Sequence, residues 1–335
     1  MIPRRVVAGL AALLVLVVFA PRLAPWDPER SLDPAVLRLR APLSRVPMLV
    51  TREGRLVPVG GDTAREMTGL PYRIEGGEIV YPRGRRFERR PLGEFARDDS
   101  GRPLIVWRRF LAGTDGFGRD LFSRMLWGLR LSVLIALSAV AGAATLAAFV
   151  GLAGGLAGRI VDAVLGLAGD ALLSVPRIVL VMALAVAVRP TPVMLALVLA
   201  ATGWPAMARL VRTEVRRARA SDVVLAARAA GVGSLRTALV HVLPEALATL
   251  AVAAALRVAP TVLTEAALSF LGAGVAPPAA SLGTILAEGR ELLLEAWWIS
   301  AIPGLALVAV VLAISRAVDR FQLRWEAGAT GSSPR

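Results

Sequence analysis

Residues Leu131–Gly154 read LSVLIALSAVAGAATLAAFVGLAG and contain no ionisable side chain. A helix needs roughly 20 apolar residues to cross the hydrocarbon core of a bilayer, so this stretch is long enough to span one. Further apolar runs of comparable length follow along the chain: Val161–Val188, Val193–Leu210, Leu247–Gly272 and Ile299–Ser315. These runs predict a polytopic membrane protein built from helices.

The composition agrees with a bilayer as the solvent. Hydrophobic residues make up 56% of the 335 residues, and the mean hydropathy is +0.63. Soluble domains contain roughly 45–50% apolar residues. The formal net charge of +14 is spread between the apolar runs. We therefore assign the charge to membrane topology and not to nucleic-acid binding.

The N-terminus offers a further span. Met1–Arg5 is positively charged and Val6–Ala20 is apolar, a pattern shared by secretory signal peptides and first transmembrane helices. Pro21 would follow the small-residue cleavage site and obstruct cleavage. We predict an uncleaved transmembrane helix over residues 1–24, which brings the number of spans to six.

Residues 25–130 are polar and contain no run long enough to cross a membrane. Met48–Arg52 and Arg55–Val59 flank Glu53-Gly54, and a second pair of short segments, Tyr72–Glu75 and Glu78–Tyr81, flanks Gly76-Gly77. Both arrangements are typical of β-hairpins. The predicted fold is all-α and polytopic, with six transmembrane helices and a small β-rich extracytoplasmic insertion between the first two.

Six spans return the C-terminus to the side of the N-terminus. The short segments then assigned to the inside all contain arginine: Met1–Arg5, Arg159–Asp162, Arg209–Pro244 and Arg316–Arg335. This distribution follows the positive-inside rule, from which long translocated loops such as 25–130 are exempt. We predict cytoplasmic termini, a permease domain at 131–316, a cytoplasmic loop at 209–244 and a tail at 317–335.

Several classes of site are excluded by composition. The chain has no cysteine, one histidine (His241) and no lysine. Thiolate and His-ligated metal sites are therefore absent, and a Walker P-loop lacks its lysine. We expect no catalytic residue, no metal and no cofactor in this chain, with any ATP bound by partner subunits.

Arg209–Pro244 carries the signals of two short helices. Ser221 can cap a helix that runs to about Ala230, Gly231 suits a left-handed closing residue, and Ser234 can cap a second helix to about Val242. Helices of this length need a surface to lie against. Small side chains at Ala226 and Ala227 permit close approach of another protein, and the surrounding arginines supply charge for an acidic groove.

Ala226-Ala227, Gly231 and Leu243-Pro244 resemble the EAA signature of permeases in binding-protein-dependent ABC importers. Gly113–Gly128 reads GTDGFGRDLFSRMLWG and Glu265–Gly274 reads EAALSFLGAG. With Trp297-Trp298 and Pro303-Gly304, these strings resemble the C-type subunit of the dipeptide and oligopeptide permease family. The resemblance covers Gly113 to about Asp319. Two positions depart from the pattern: Leu225 replaces the signature Glu, and Gly169 stands where relatives often have arginine.

The resemblance implies a multi-pass protein of the bacterial inner membrane that forms half of a pore for peptides. Its implied partners are a homologous B-type permease, two cytoplasmic ATPases and an extracytoplasmic solute-binding protein. The residues implied to couple the ATPases to the pore are Ala226, Ala227, Arg228, Gly231, Leu243 and Pro244.

Ionisable or polar residues inside spans are pore candidates by default, because charges there face the bundle interior or a water-filled path. These candidates are Arg257, Thr264, Glu265 and Asp170. Arg257 and Glu265 are about 80° apart around their helix, so we expect each to pair across helices in a structural role.

Two prolines and one charged motif complete the expectations for the helices. Pro176 and Pro260 are predicted to kink their helices. Asp115, Arg119 and Asp120 stand where the insertion meets the second helix, and we predict that they form structural salt bridges.

Other functions stay open from the residues. A membrane-anchored enzyme could use the carboxylates Glu75 and Glu78, or Asp98 and Asp99, although solvated turn residues are commoner. An ion-driven secondary transporter would need internal repeats, which we do not find. For an ABC permease, nickel, glutathione, sugars and peptide antibiotics are alternatives to peptides. The long insertion favours an oligopeptide-type subunit with an outer docking lobe.

Overall fold

The computed structural model describes residues 18–60, 70–187 and 191–329. Most of the predicted first helix lies outside these residues, and the described part begins with helical residues 18–23. The chain forms two compact units. We call Leu129–Pro277 with the residues from Ala306 onward the helical unit, and Phe19–Gly128 with Pro278–Leu305 the mixed unit. The sequence-based boundaries did not anticipate that Pro278–Leu305 groups with the mixed unit.

Ten α-helices are numbered here in chain order. They are α1 (Pro34–Leu37), α2 (Leu121–Leu156), α3 (Arg159–Ser174), α4 (Arg177–Ala187), α5 (Pro192–Arg219), α6 (Asp222–Ala229), α7 (Ser234–Thr237), α8 (Leu243–Phe270), α9 (Leu282–Arg290) and α10 (Trp298–Ala329).

Four helices in the described part of the chain are long and apolar enough to cross a membrane. The candidate spans are Leu121–Leu156, Pro192–Arg219, Ala238–Phe270 and Trp298–Arg320. The pair α3 and α4 makes a fifth if its two bent halves count as one span. The structure therefore supports a mostly helical, multi-span architecture among these residues.

The predicted single span Val161–Val188 is wrong in one respect. It consists of two helices that meet at an angle of 87°. Pro176 stands at the junction, and Val175 before it has extended backbone angles of −94° and 132°. A proline ring disfavours helical geometry in the preceding residue and removes one backbone donor, so the chain turns sharply here.

The helical unit depends on close contact between α2 and α5. A Cβ atom built on Gly151 would lie 2.6 Å from the Cβ of Val211, and one on Gly155 would lie 2.5 Å from Cγ1 of Val215. Val211 and Val215 belong to the buried core of this unit. Lipid supplies no hydrophobic drive between helices, so small residues that allow this approach stabilise the pair.

The described residues of the mixed unit contain six strands, arranged as two three-stranded sheets. The strands are β1 (Ser44–Val50), β2 (Leu56–Pro58), β3 (Arg73–Glu75), β4 (Glu78–Arg83), β5 (Arg86–Pro91) and β6 (Ile105–Phe110). The sheet orders are β2-β1-β6 and β3-β4-β5, and all neighbours are antiparallel.

The tight turns of the mixed unit lie where the sequence placed them. The β1–β2 hairpin turns at Glu53-Gly54 and the β3–β4 hairpin at Gly76-Gly77, with positive φ at all three glycines. Glycine adopts this backbone region without the steric cost that a side chain brings. The strands β5 and β6 were not anticipated from sequence.

A buried charge cluster in the mixed unit joins the start of α2 to α9. Asp115 accepts hydrogen bonds from Arg119 and Arg124 at 2.7 Å each. Arg124 is 1% exposed and also bonds both carboxylate oxygens of Glu288, at 2.6 and 2.8 Å. Buried charges persist in proteins when they are paired and hydrogen-bonded in this way. The cluster is the salt-bridged structural element that was predicted for Asp115 and Arg119.

Asp120 lies beside this cluster but has a different partner. Its carboxylate accepts hydrogen bonds from the backbone N–H and the hydroxyl of Ser123 at 2.8 and 2.6 Å. Burial raises the pKa of Asp120, and the nearby charge of Asp115 adds to that rise, whereas the Ser123 bonds lower it. Its role is to cap the first turn of α2, not to form an ion pair.

We expect Gly155→Ala to destabilise the helical unit by about 1–3 kcal/mol, because the new methyl group overlaps Val215 and forces α2 and α5 apart. Gly154→Ala is the matched control, since the nearest atoms there belong to the flexible side chains of Asp162 and Arg212. The melting temperature of the purified protein in detergent measures both changes. Equal effects of the two substitutions would contradict the close-contact interpretation.

We expect Asp115→Asn to cost about 3–5 kcal/mol, because it removes one of the two carboxylates that neutralise buried Arg124. The exposed turn residue Asp99 supplies the control substitution Asp99→Asn. Thermal unfolding followed by tryptophan fluorescence reports the difference. If both variants melt at the temperature of the parent protein, the cluster does not stabilise the fold.

Candidate functional site

The segment Arg209–Pro244 is more helical than its sequence indicated. The helix α5 continues through Arg219, so the first third of the segment extends a predicted span. It is followed by α6, then α7, then a π-helical turn at Ala238–Val242 that leads directly into α8. The second short helix is therefore continuous with the next span and not separate from it.

The end of α6 has the geometry of a Schellman motif. Gly231 has φ of +80°, and the N–H of Val232 donates to the carbonyl of Ala227 at 3.0 Å. This six-residue bond satisfies a carbonyl that the helix end would leave free. The left-handed residue was predicted at Gly231. No atom lies within 4 Å of a Cβ built there, so only backbone conformation restricts this position.

Ser221 does not show the predicted cap. Its hydroxyl donates to the carbonyl of Ala218 at 2.7 Å, which closes the end of α5. Ser234 is the first residue of α7, and its side chain lies outside the described part of the structure. The boundary between α5 and α6 is therefore stabilised by a hydrogen bond at the end of α5.

The surface of α6 is apolar. Val224 is buried and holds the helix against the unit, whereas Val223 and Leu225 are 62% and 52% exposed. Ala226 is also exposed, and Ala227 is half-buried. Leu225 stands where the EAA signature has Glu, so the centre of this surface offers hydrophobic contact in place of that charge.

The arginines of α5 form ion pairs and hydrogen bonds within the chain, and their expected role of supplying charge to a partner stays a prediction. Arg212 and Arg216 both bond the carboxylate of Asp162 on α3, the first at 3.0 Å. Arg217 bonds Glu214 at 2.5 Å, and Arg219 donates to the carbonyl of Gly155 at 2.7 Å. These contacts fix the end of α5 to its neighbours. The side chain of Arg228 lies outside the described part.

Pro244 explains the π-helical turn. A proline in a helix lacks the N–H and its ring clashes with the carbonyl four residues earlier. The turn widens immediately before it, and the N–H of Leu243 donates to the carbonyl of Ala238, five residues back. The helical path from α7 into α8 is thus preserved across Pro244. π-Turns of this kind are frequent at functional positions.

The pore candidates on α8 differ in their surroundings. Glu265 is fully buried, and its Oε1 accepts a hydrogen bond from Ser269 at 2.8 Å, one turn along the same helix. Its Oε2 has no partner among the described residues. Thr264 donates to the carbonyl of Pro260 at 2.8 Å, so its hydroxyl is satisfied within the helix.

Arg257 forms no ion pair with Glu265 or with any other carboxylate in the described ranges. It lines a small cavity whose other charged residue is Arg177, at the start of α4. Arg177 was not identified from sequence, although an arginine directly after Pro176 in an apolar run is a signal that could have found it.

Asp170 lies on an exposed part of α3, with its side chain 64% accessible. Its carboxylate pairs with Arg209 of α5 at 2.5 Å. Together with the Asp162 bonds, this contact ties α3 to α5. No group of histidine and carboxylate side chains with the arrangement of a metal site occurs among the described residues.

Three comparisons with known proteins bear on the site. The family of binding-protein-dependent transport system inner membrane components matches residues 143–326. A Brucella suis protein named for peptide transport is 40% identical over 205 residues, covering 61% of this chain and 69% of that protein. The di/tripeptide transport system permease protein DppC of Pseudomonas aeruginosa is 39% identical over 207 residues, covering 62% and 68%.

Among solved structures, an inward-facing MetNI methionine ABC transporter matches with a TM-score of 0.49 and 21% sequence identity. The match covers 61% of this chain and 96% of that one. The sequence matches confirm the family resemblance that the EAA-like, GTDGFGRD and LSFLG strings indicated. The matched range contains the whole segment Arg209–Pro244 and all four pore candidates.

Proposed function

Since this chain belongs to the binding-protein-dependent transport system inner membrane components, we propose that it imports peptides as the C-type half of a permease pore. It is a multi-pass transport component of the inner membrane and not an enzyme. The observation that carries the peptide assignment is the similarity to DppC of Pseudomonas aeruginosa, 39% identical over 207 residues.

The proposed coupling site is the exposed apolar surface of α6. Val223, Leu225 and Ala226 present it to the ATPase, and the buried Val224 transmits force to the core of the helical unit. The π-turn before Pro244 joins this surface to α8 as one helical path. Movement of α6 is then transferred to the span that carries Arg257 and Glu265.

The proposed topology has six spans, with the first in residues 1–24 and both termini in the cytoplasm. The arginine-rich helix ends near Asp162 and Arg219 then face the cytoplasm, in agreement with the positive-inside rule. The β-rich insertion at 25–130 lies outside and docks the solute-binding protein. The remaining partners are a B-type permease and two ATPase subunits.

The assignment is tested by co-expressing the chain with its neighbouring permease and ATPase subunits and purifying the assembly in mild detergent. We expect the ATPase to co-purify, and proteoliposomes supplied with the binding protein to take up tripeptides in the presence of ATP. Uptake of nickel or glutathione without peptide uptake would refute the proposed substrate and leave the permease role intact. Ion-driven uptake without an ATPase would refute both.

We expect Gly231→Val to reduce ATP-driven uptake, because a β-branched residue in left-handed geometry costs about 1–2 kcal/mol and shifts the end of α6. Gly231→Asn is the matched control, since Asn tolerates this backbone region and the surrounding space is open. Uptake per unit of ATP hydrolysed measures the coupling. Equal coupling in the two variants would show that the left-handed residue is not required.

A further inference from the structure

Two arginines of the helical unit face one cavity within the spans. Arg177 begins α4, directly after the 87° break at Pro176, and Arg257 lies in the middle of α8. Both line the same cavity, together with Thr261 and with residues of α2 and α5. Both residues are half-buried.

Neither guanidinium has a carboxylate partner among the described residues. Across residues 18–60, 70–187 and 191–329, every ion pair of the helical unit joins other side chains: Asp162, Asp170, Glu214 and Glu245 with arginines of α5. Arg177 has a single weak bond, from Nη2 to the carbonyl of Leu199 at 3.3 Å. Its Nε is buried without an acceptor. The donors of this pair are therefore largely unused.

Two like charges in this position are unfavourable by themselves. Desolvation at membrane depth and the repulsion between two like charges both disfavour the pair. The arginines of the helical unit with described ion pairs lie in the C-terminal half of α5 and have carboxylate acceptors. They are Arg209, Arg212, Arg216 and Arg217. An uncompensated pair inside the spans indicates a position that receives an anion during the working cycle.

The volume of the cavity limits the size of a ligand that can contact Arg177 and Arg257. The cavity is open on one side, and its volume of about 10 Å³ has room for about one water molecule. Gly203 on α5 leaves space beside Arg177, because a Cβ built there would lie 3.3 Å from Nη2. The cavity as it stands has no room for a bulky ligand, so a carboxylate would have to approach Arg177 and Arg257 from its open side.

We propose that Arg177 and Arg257 bind the C-terminal carboxylate of the peptide as it passes through the pore. Guanidinium groups match carboxylates in geometry as well as in charge, through paired N–H donors. Every linear peptide ends in this group, so the pair recognises the substrate class without reading side chains. The inference rests on the proposed peptide substrate. Other anions that could neutralise the pair are a carboxylate of the second permease subunit and a lipid phosphate.

The test uses the purified complex of this chain with its permease partner and ATPases, without the binding protein. Trialanine, N-acetyl-trialanine and trialanine amide are added at millimolar concentration, and the shift in melting temperature is measured. We expect both carboxylate-bearing peptides to raise the melting temperature and the amide to have no effect. Arg177→Gln and Arg257→Gln should each weaken carboxylate binding about 10-fold or more.

Arg316→Gln, at an exposed position on α10 away from the cavity, is the control and should retain the full shift. The proposal is overturned if the amide stabilises the complex as well as the acid, or if no peptide shifts the melting temperature. It is also overturned if inorganic phosphate gives the same shift as trialanine, which would indicate a lipid headgroup site.

Loss of the second permease from the purified Arg257→Gln complex would assign the pair to an interface carboxylate and overturn the proposal as well. Import into proteoliposomes with the binding protein separates this inference from the proposed function. A complex that imports tripeptides but shows no carboxylate-dependent shift refutes the arginine site alone. A complex that imports no peptide refutes the substrate assignment.

Discussion

A guanidinium group near hydrocarbon needs an acceptor, because no bulk water is present to solvate its charge. This chain has no lysine, so every cationic side chain that needs such an acceptor, apart from His241, is an arginine. Asp162 accepts from two arginines of α5, Asp170 from a third, and the carbonyl of Gly155 from Arg219. These bonds fix the angle between α3 and α5 and hold the end of α5 beside α2.

Two arginines inside the spans do not meet this requirement with a carboxylate acceptor. Arg177 and Arg257 share a cavity and have no carboxylate partner in the described part of the chain. The arginines of α5 that form ion pairs are neutralised by carboxylates. Arg177 and Arg257 have no such partner inside the spans, and we therefore interpret them as a binding position and not as a packing element. The cluster of Asp115 and Glu288 with Arg119 and Arg124 shows the opposite case, in which two carboxylates and two guanidinium groups compensate one another and the role is structural.

Two prolines show how one residue type produces different outcomes. At Pro176 the preceding residue is extended and the helix breaks by 87°. At Pro244 the helix widens into a π-turn and continues. The first places Arg177 at the start of a new helix, and the second keeps the surface of α6 in helical continuity with α8.

Three properties follow from the amino-acid sequence alone: the class of protein, several of the spans and the family. Apolar run length, arginine distribution and the motif strings are local properties of the sequence. Bilayer thickness relates the length of an apolar run to a spanning helix, and the arginine distribution indicates which loops lie inside. The sequence also located Gly231 and the two hairpin turns, because glycine at a positive φ is a local requirement. It could not distinguish a kinked from a broken helix at Pro176, since both leave the same apolar run.

Only the tertiary structure decided which charges are paired. Arg212 and Asp162 are 50 residues apart, and Arg124 and Glu288 are 164 apart, so no spacing rule connects them. The assignment of α5 arginines to internal bonds, the grouping of Pro278–Leu305 with the mixed unit and the meeting of Arg177 with Arg257 all depend on long-range packing. Side-chain partners at such separations follow from how helices approach each other, and small residues such as Gly155 and Gly203 control that approach.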